Sequence, residues 1–230
     1  MKEDFSEIKD VALMHQKIVE KLSQYQNGIA AETMNKMGLD YAINYGLSLP
    51  QIDSIANAIK RDIDLAFFLW KQDEREAKLL SLRILKDFQL EDEQINEIIV
   101  GITNIELAEQ AVFQLFNKIN NAYELALKLI KKDNFAQLAG FLLIARLAMV
   151  ESEQDNSVFD NFLMEIFKNL PKENAIYLWR GIALAFLKIG LRSTELKKKV
   201  KEFIKTINKT NPGLSNYLNQ EVNYFLIENN

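Results

Sequence analysis

Residues 65–85, LAFFLWKQDEREAKLLSLRIL, are the feature that most limits how this chain can fold. An apolar run ends at Leu69 and Trp70, a polar turn follows through Asp73, and the next segment has apolar residues at helical spacing. The pattern predicts two helices joined by a tight turn. The same signature returns at 129–133 and 166–169, with a degenerate copy at 98–104. Helix pairs that recur about every 30 to 40 residues favour the HEAT or armadillo class of stacked repeats.

Composition supports helices throughout the chain. Of 230 residues, 48% are hydrophobic and only 8 are Gly and 3 are Pro, so few helix breakers interrupt the apolar segments. No strand pattern, linker or low-complexity stretch competes with this reading. The prediction is an all-α, HEAT-like or armadillo-type solenoid that forms one domain over residues 1–230. Such stacks curve, and their concave face is the usual binding surface.

Hydrophobic periodicity predicts thirteen helices. They cover 5–25, 29–37, 50–59, 62–71, 74–87, 91–102, 104–119, 121–132, 134–150, 156–169, 173–190, 193–209 and 213–227. Short polar residues before the apolar runs predict N-caps at Asp73, Asn104, Asn134 and Ser193, and a capping box at Ser48 with Gln51. Helix 134–150 is apolar nearly all round, so we expect it to be a central helix packed on both sides.

Several functional classes lack their signatures. The chain has no Cys, which removes disulfides, thiolate nucleophiles and cysteine-based zinc sites, and His15 is its one histidine. No Gly-rich phosphate loop, nucleophile-elbow serine or His-Glu-x-x-His helix occurs, so neither a metal nor a cofactor is expected. The acidic N-terminus is unlike a secretory signal, and the most apolar stretch, 135–150, is too short for a bilayer. We expect a soluble, cytoplasmic protein without a membrane partner.

Positive charge is concentrated towards the C-terminus. The net charge is -4, yet residues 121–230 carry more Lys and Arg than Asp and Glu. Lys198, Lys201 and Lys205 share one stripe of a predicted helix and could follow a phosphate backbone, although a lysine-rich face is often simply solvated. Arg146 and Arg180 lie within largely apolar helices, where a guanidinium must reach solvent, a carboxylate or a ligand.

The block at 65–85, preceded by YGLSLPQIDSIANAI and followed far downstream by IALAFLKIGLRSTELKKKV, resembles the DNA alkylation repair family. These are HEAT-like alkylpurine DNA glycosylases of the AlkD type. The likeness runs from about Met34 to Ile204, and its most specific part is Leu69, Trp70, Arg75, Glu76 and Ala77. The resemblance implies a concave face that cradles duplex DNA and removes positively charged alkylated purines without burying the base in a pocket.

The resemblance also implies an active site of two Trp, an Asp and an Arg. The family's Trp-Asp-x-x-Asp block falls on 105–109, which keeps a carboxylate at Glu109 and places Ile105 at the aromatic position. The family's later Trp-x-x-Arg falls on 136–139, where neither residue is kept, and its last Trp falls at about Leu184. Glu109 is the candidate catalytic anion, because a carboxylate stabilises the positive charge that develops on the deoxyribose. The missing aromatic residues and arginine argue against glycosylase activity.

Three functions remain open from the sequence. The first is an active alkylpurine glycosylase that uses Glu109. The cations expected to contact phosphates or flank the lesion in that case are Arg146, Arg180 and Lys188. The second is a non-catalytic member that binds duplex DNA, using the cations of the C-terminal region, Arg192, Lys198, Lys201 and Lys205. The third is an interaction scaffold whose groove takes a protein segment. The preferred interpretation is a divergent family member whose groove binds a partner and whose catalytic set is largely missing.

Overall fold

The computed structural model describes residues 10–171, 175–223 and 226, and over these residues the fold is all-α, as predicted. Its α-helices there are α1 (Val11–Gln24), α2 (Gly28–Lys36), α3 (Leu49–Ala58), α4 (Ile63–Trp70), α5 (Arg75–Leu85), α6 (Asp92–Val100), α7 (Ile105–Gln114), α8 (Ala122–Leu129), α9 (Asn134–Val150), α10 (Asn156–Lys168), α11 (Ile176–Gly190), α12 (Thr194–Ile207) and α13 (Pro212–Leu218). A 3-10 turn covers Phe116–Lys118, and a π-helical turn covers Asn219–Asn223. Each predicted helix has its counterpart in this series. The predicted helical residues 5–9, 173, 174, 224, 225 and 227 lie outside the described residues.

The predicted helix at 104–119 runs through a break in the structure. The sequence predicts 104–119, but α7 ends at Gln114 because Leu115 leaves the helical region of backbone angles (φ -124, ψ -64). The chain then enters the 3-10 turn, and both Leu115 and Phe116 are buried in the core. Ile119 therefore does not extend the apolar face of α7. Periodicity alone missed this break, since the apolar spacing continues through it.

Three of the five predicted capping features are correct. The side chains of Asn104 and Ser193 accept from backbone N–H groups in the first turns of α7 and α12, and Ser48 with Gln51 forms the predicted capping box of α3. Two of the predicted caps are wrong. The N-cap of α5 is Glu74 rather than Asp73, and Asn134 is the first residue of α9 with a positive φ of 52°.

The chain divides into two compact units, unit 1 (residues 1–118) and unit 2 (residues 119–230). The single domain expected over 1–230 and its concave face stay predictions. In unit 1, α5 is the central helix, because it packs against α3, α4 and α7 and every one of its residues except Lys78 is buried. The pair α4 and α5 is the helix hairpin predicted from residues 65–85. Gly101 lets α6 approach this hairpin, since a Cβ there would overlap the indole of Trp70.

In unit 2, α9 lies between α8 and α11 and contacts both, as its uniformly apolar sequence predicts. Gly140 permits the close approach of α9 to the end of α8, because a Cβ at this position would lie 2.6 Å from the backbone nitrogen of Ile130. The next layer is formed by α10 and α12, which pack against each other and against α11. One side of α9 and α11 is left less buried, and this side carries charge.

Candidate nucleic-acid interface

A buried arginine organises unit 1 at the start of α5. The Arg75 guanidinium, 1% exposed, donates to both carboxylate oxygens of Glu106 at 2.6 and 2.8 Å and to Glu76 at 2.8 Å. Burial acts to lower the pKa of Arg75, but hydrogen bonds and attraction from the two carboxylates outweigh it and raise the pKa. The Tyr41 hydroxyl donates to Glu106 at 2.9 Å, and burial beside that carboxylate raises the pKa of Tyr41, which keeps it neutral. Glu106 is thus engaged in structural bonds.

The same network explains the block of residues that carries the family resemblance. Glu76 accepts from the backbone N–H groups of Tyr45 and Leu47, each at 3.1 Å, and so holds the segment before α3 against α5. Trp70, 3% exposed, donates its indole N–H to the carbonyl of Glu97 at 3.3 Å. These residues stabilise the fold of unit 1, so the resemblance at 69–77 reports on architecture rather than on a reactive site.

A second buried arginine, Arg83, joins three helices of unit 1. Its Nε donates to the Asp53 carboxylate on α3, and its Nη2 donates to the Gln110 amide oxygen on α7 at 3.2 Å. The Asp53 side chain is 52% exposed whereas that of Arg83 is 2% exposed. The pair therefore presents a carboxylate at the surface and holds its counter-charge beneath, which fixes α3, α5 and α7 relative to one another.

Glu109, the candidate catalytic anion, lies on the exposed side of α7. Phe113 follows it by one helical turn and is 54% exposed, so both side chains belong to the same face. Ile105, at the position where the family pattern has an aromatic residue, is half-buried. Sequence reasoning missed Phe113, although a signal was present. It lies outside the apolar stripe of this helix that contains Ala108 and Val112.

The two tryptophans pack in the core. Trp70 is enclosed in unit 1 as described above. Trp179 is 8% exposed in unit 2, where its ring centroid lies 5.9 Å from that of Tyr217 and where it also contacts Gly213. Neither indole is placed to stack on a nucleobase from solvent. The position near Leu184 that corresponds to the family's last Trp is 38% exposed and carries no aromatic ring.

Helices α9 and α11 lie side by side in unit 2 and run in the same direction. Their first turns meet at Phe135 and Tyr177, whose ring centroids are 4.9 Å apart. Their last turns meet at a cleft that both Met149 and Lys188 line. Residues on the open sides of the two helices are therefore neighbours along their whole length.

Helical spacing places three of the predicted contact residues on this open side. Arg180, Leu184 and Lys188 follow one another at four-residue intervals along α11, so they share a stripe in which the two cations are separated by about 12 Å. Arg146 precedes Met149 by about one turn of α9 and is partly exposed, and Met149 borders Lys188 at the cleft. We call Arg146, Arg180 and Lys188 the cationic face. Burial and the charge of Glu221 raise the pKa of Tyr217 in α13, and the charge of Arg180 partly opposes this shift.

Arg192 has a different role in the structure. Its guanidinium donates to the carbonyls of Ala148, Glu151 and Gln154 at 3.0, 2.8 and 2.8 Å, and it lies 3.8 Å from the centroid of the Phe159 ring. These bonds hold the loop that joins α9 to α10. The sequence predicted that this guanidinium contacts a DNA phosphate, but its N–H groups donate to the loop carbonyls instead. We therefore regard Arg192 as a positioning residue for this loop.

Lys198, Lys201 and Lys205 occupy a separate stripe on α12. This helix packs against α10 and α11 through its opposite side, which contains the buried residues Val200 and Ile204. The structure therefore divides the predicted cations into two groups on different helices. Lys188 of the group on α9 and α11 lines a cleft, whereas the group on α12 lies on the side of that helix opposite its buried residues.

The described residues contain neither a cluster of metal ligands nor a helix that could span a membrane. His15 lies 3.2 Å from a carboxylate oxygen of Glu74, and among the described residues no group of three His, Asp or Glu side chains is arranged as a metal ion would require. Within the same ranges, none of the helices combines the length and the apolar character needed to span a bilayer.

Comparisons with known proteins agree with the fold. Residues 18–148 match the family model described as DNA alkylation repair enzyme. A solved structure with 16% sequence identity aligns with a TM-score of 0.69 over 83% of this chain and 81% of that chain, and it is described as a new family of proteins related to the HEAT-like repeat DNA glycosylases with affinity for branched DNA structures. This likeness establishes the fold and confirms the predicted HEAT-like class. No curated protein sequence matches significantly. Since the family match covers more than half of the chain, this protein belongs to the DNA alkylation repair enzyme family.

Proposed function

We propose that this protein binds DNA through its cationic face and does not excise bases. The observation that carries the proposal is the position of Arg146, Arg180 and Lys188, which helical spacing places on the open sides of the adjacent helices α9 and α11. Phosphate neutralisation by Lys and Arg supplies most of the affinity for DNA that does not depend on sequence. The family membership and the branched-DNA affinity attributed to the structural neighbour support this assignment.

The surroundings of Glu109 disfavour base excision. Cleavage of a glycosidic bond leaves positive charge on the sugar, and an active site would hold the cationic base and sugar between aromatic faces beside the carboxylate. Ile105 replaces an aromatic residue one turn before Glu109, and both tryptophans of the chain are buried elsewhere. A carboxylate with so few aromatic partners is poorly equipped to hold the transition state.

The DNA-binding proposal is tested by the salt dependence of affinity. We expect a labelled 25-base-pair duplex to bind more weakly as salt rises. In the variant Arg180→Gln/Lys188→Gln, we expect the slope of log affinity against log salt to become shallower by about 2, because two phosphate contacts are lost. Fluorescence anisotropy titrations at several salt concentrations measure both quantities. Arg146→Gln, prepared separately, reports on the α9 side of the face.

The matched control is Lys198→Gln/Lys205→Gln, which removes two cations from α12. We expect this variant to keep the slope of the unaltered protein. If the α12 variant changes the slope and the α11 variant does not, DNA lies on the lysine stripe and the cationic face is not the binding surface. If neither protein nor variants bind duplex at low salt, the DNA proposal is abandoned and the protein-segment scaffold becomes the leading hypothesis.

An active glycosylase is the second candidate, because an exposed aromatic residue, Phe113, lies one turn after the exposed Glu109. Our expectation is that methylated DNA incubated with the protein releases no free 3- or 7-methylpurine above the level seen with Glu109→Gln. Chromatographic measurement of released bases gives this result directly. Release that disappears in both Glu109→Gln and Phe113→Ala, but persists in Phe167→Ala, would establish the glycosylase and refute the non-catalytic assignment.

A further inference from the structure

The cationic face ends at a cleft with walls of opposite character. The cleft has a volume of about 530 Å³ and lies between the C-terminal ends of α9 and α11 and the loop that leads to α10. One wall is apolar and contains Met149 and Leu191, which are 51% and 44% exposed. The other wall is polar and contains Ser152, Asp155 and Asn156. Lys188, a member of the cationic face, stands at its edge.

The polar wall is held in place before any ligand arrives. Arg192 donates to the carbonyls of Glu151 and Gln154 in the loop, to that of Ala148 at the end of α9, and to Asn156 Oδ1 at 3.1 Å. It also lies against the Phe159 ring, so the loop cannot shift without breaking several charge-assisted bonds. The Asp155 carboxylate caps α10 by accepting from the N–H of Ser157 at 2.7 Å, and this bond lowers the pKa of Asp155. Asp155 thus presents an ionised carboxylate that can only accept hydrogen bonds.

The dimensions and chemistry of the cleft fit a nucleobase. Ligand pockets commonly have volumes of about 300 to 1,000 Å³ with apolar lining and a few convergent polar groups. A base has apolar faces and a polar edge, so one face can lie on the Met149–Leu191 wall while the edge meets the Asp155 wall. A base that enters the cleft brings its own phosphate towards Lys188. Bases in an intact duplex are covered by their stacked neighbours, so only an unpaired nucleotide can enter.

We propose that this cleft binds an unpaired nucleotide of DNA, with one face of its base against Met149 and Leu191, its amino edge on Asp155 and its phosphate on Lys188. The inference rests on the proposed DNA-binding function and adds a reason for selectivity. The protein binds interrupted DNA, such as a bulge or the unpaired nucleotides of a branch point, more tightly than a continuous duplex. Cytosine suits the cleft better than thymine, because its N4 amino group donates to a carboxylate and thymine has no amino group.

The test compares one labelled 25-base-pair duplex with the same duplex carrying two unpaired cytosines. We expect the bulged DNA to bind about tenfold more tightly, since the base gains stacking and a hydrogen bond only in the cleft. In Met149→Gln and in Leu191→Gln, two exposed positions where the substitution should not disturb folding, the affinity for bulged DNA falls to that for paired duplex. Met164→Gln is the matched control, because Met164 is 46% exposed on α10 and does not line the cleft. It keeps the tenfold preference.

A second comparison uses a bulge of two thymines. We expect cytosine to be favoured by the protein and this difference to disappear in Asp155→Asn, because an asparagine still caps the helix but can both donate and accept. Equal binding of the two bulges by the unaltered protein would refute the assignment of Asp155 to the amino edge.

The outcomes separate this inference from the proposed function. Equal, salt-sensitive binding of paired and bulged DNA refutes the cleft while the cationic face stands. A preference for bulged DNA that survives in both cleft variants refutes the location. Failure to bind either DNA refutes the proposed function and the inference together.

Discussion

At the scale of single residues, the two most buried arginines stabilise the fold rather than bind a ligand. Arg75 and Arg83 are 1% and 2% exposed, and each is satisfied by a carboxylate and by backbone carbonyls. Removing one partner of a buried ion pair is far more harmful than removing an exposed pair, because the remaining charge stays buried without compensation. The pair of Arg75 with Glu106 should therefore contribute measurably to the stability of unit 1.

The first stability prediction concerns Glu106→Gln. We expect the free energy of unfolding to fall by about 3 kcal/mol, since the amide offers Arg75 no charge and a single acceptor. Urea denaturation followed by circular dichroism measures the change. Glu32→Gln is the control, because Glu32 pairs with Lys36 on an exposed surface of α2 and should change stability by less than about 0.5 kcal/mol. Similar losses in the two variants would contradict the structural role of the Arg75 network.

At the scale of elements, α2 and α5 are opposite cases within unit 1. Every residue of α5 except Lys78 is buried, whereas α2 buries none of its nine residues and leaves Ile29 81% exposed. Short helices are unstable in water unless tertiary packing supports them. The attachments of α2 include a backbone bond from Asn27 to the carbonyl of Tyr45 at 2.8 Å. We infer that α2 opens locally without unfolding α5.

Hydrogen exchange tests this difference between elements. We expect amides of α2 to exchange at least about 100-fold faster than those of α5, because local opening of α2 exposes little apolar surface. Peptide-level exchange measured by mass spectrometry resolves the two helices. The exchange of α3, which is partly buried against α5, serves as an internal reference. Protection of α2 equal to that of α5 would show that something covers its exposed side.

At the scale of the whole molecule, charge is distributed unevenly while the net charge stays negative. The chain carries -4 overall, yet residues 121–230 have an excess of Lys and Arg, and three of these cations converge on α9 and α11. A local positive patch can attract DNA even when the whole protein is acidic, because salt screens charges more than about 10 Å away. Overall acidity therefore does not exclude a nucleic-acid partner. The arrangement of a few cations matters more than the net charge.

Much of the fold was predictable from local sequence. Apolar spacing located every helix, the 65–85 block predicted the α4–α5 hairpin, and the uniformly apolar α9 was correctly expected at the centre of its layer. Local pattern was weaker at helix ends. It carried α7 past Leu115, and it placed a cap at Asn134, which instead adopts a positive φ. Helix ends depend on which side chains the core can accept, and a spacing pattern does not contain that information.

The sequence by itself determined the all-α class, the order of the helices and the family, because helical periodicity and capping act between residues a few positions apart. Only the tertiary structure decided which charged residues share a surface. It placed Arg146, Arg180 and Lys188 on adjacent helices, it put the lysines of α12 on a separate helix, and it directed Arg192 onto the loop carbonyls. These outcomes follow from the parallel packing of α9 and α11, since residues far apart in the chain become neighbours only when their helices lie side by side.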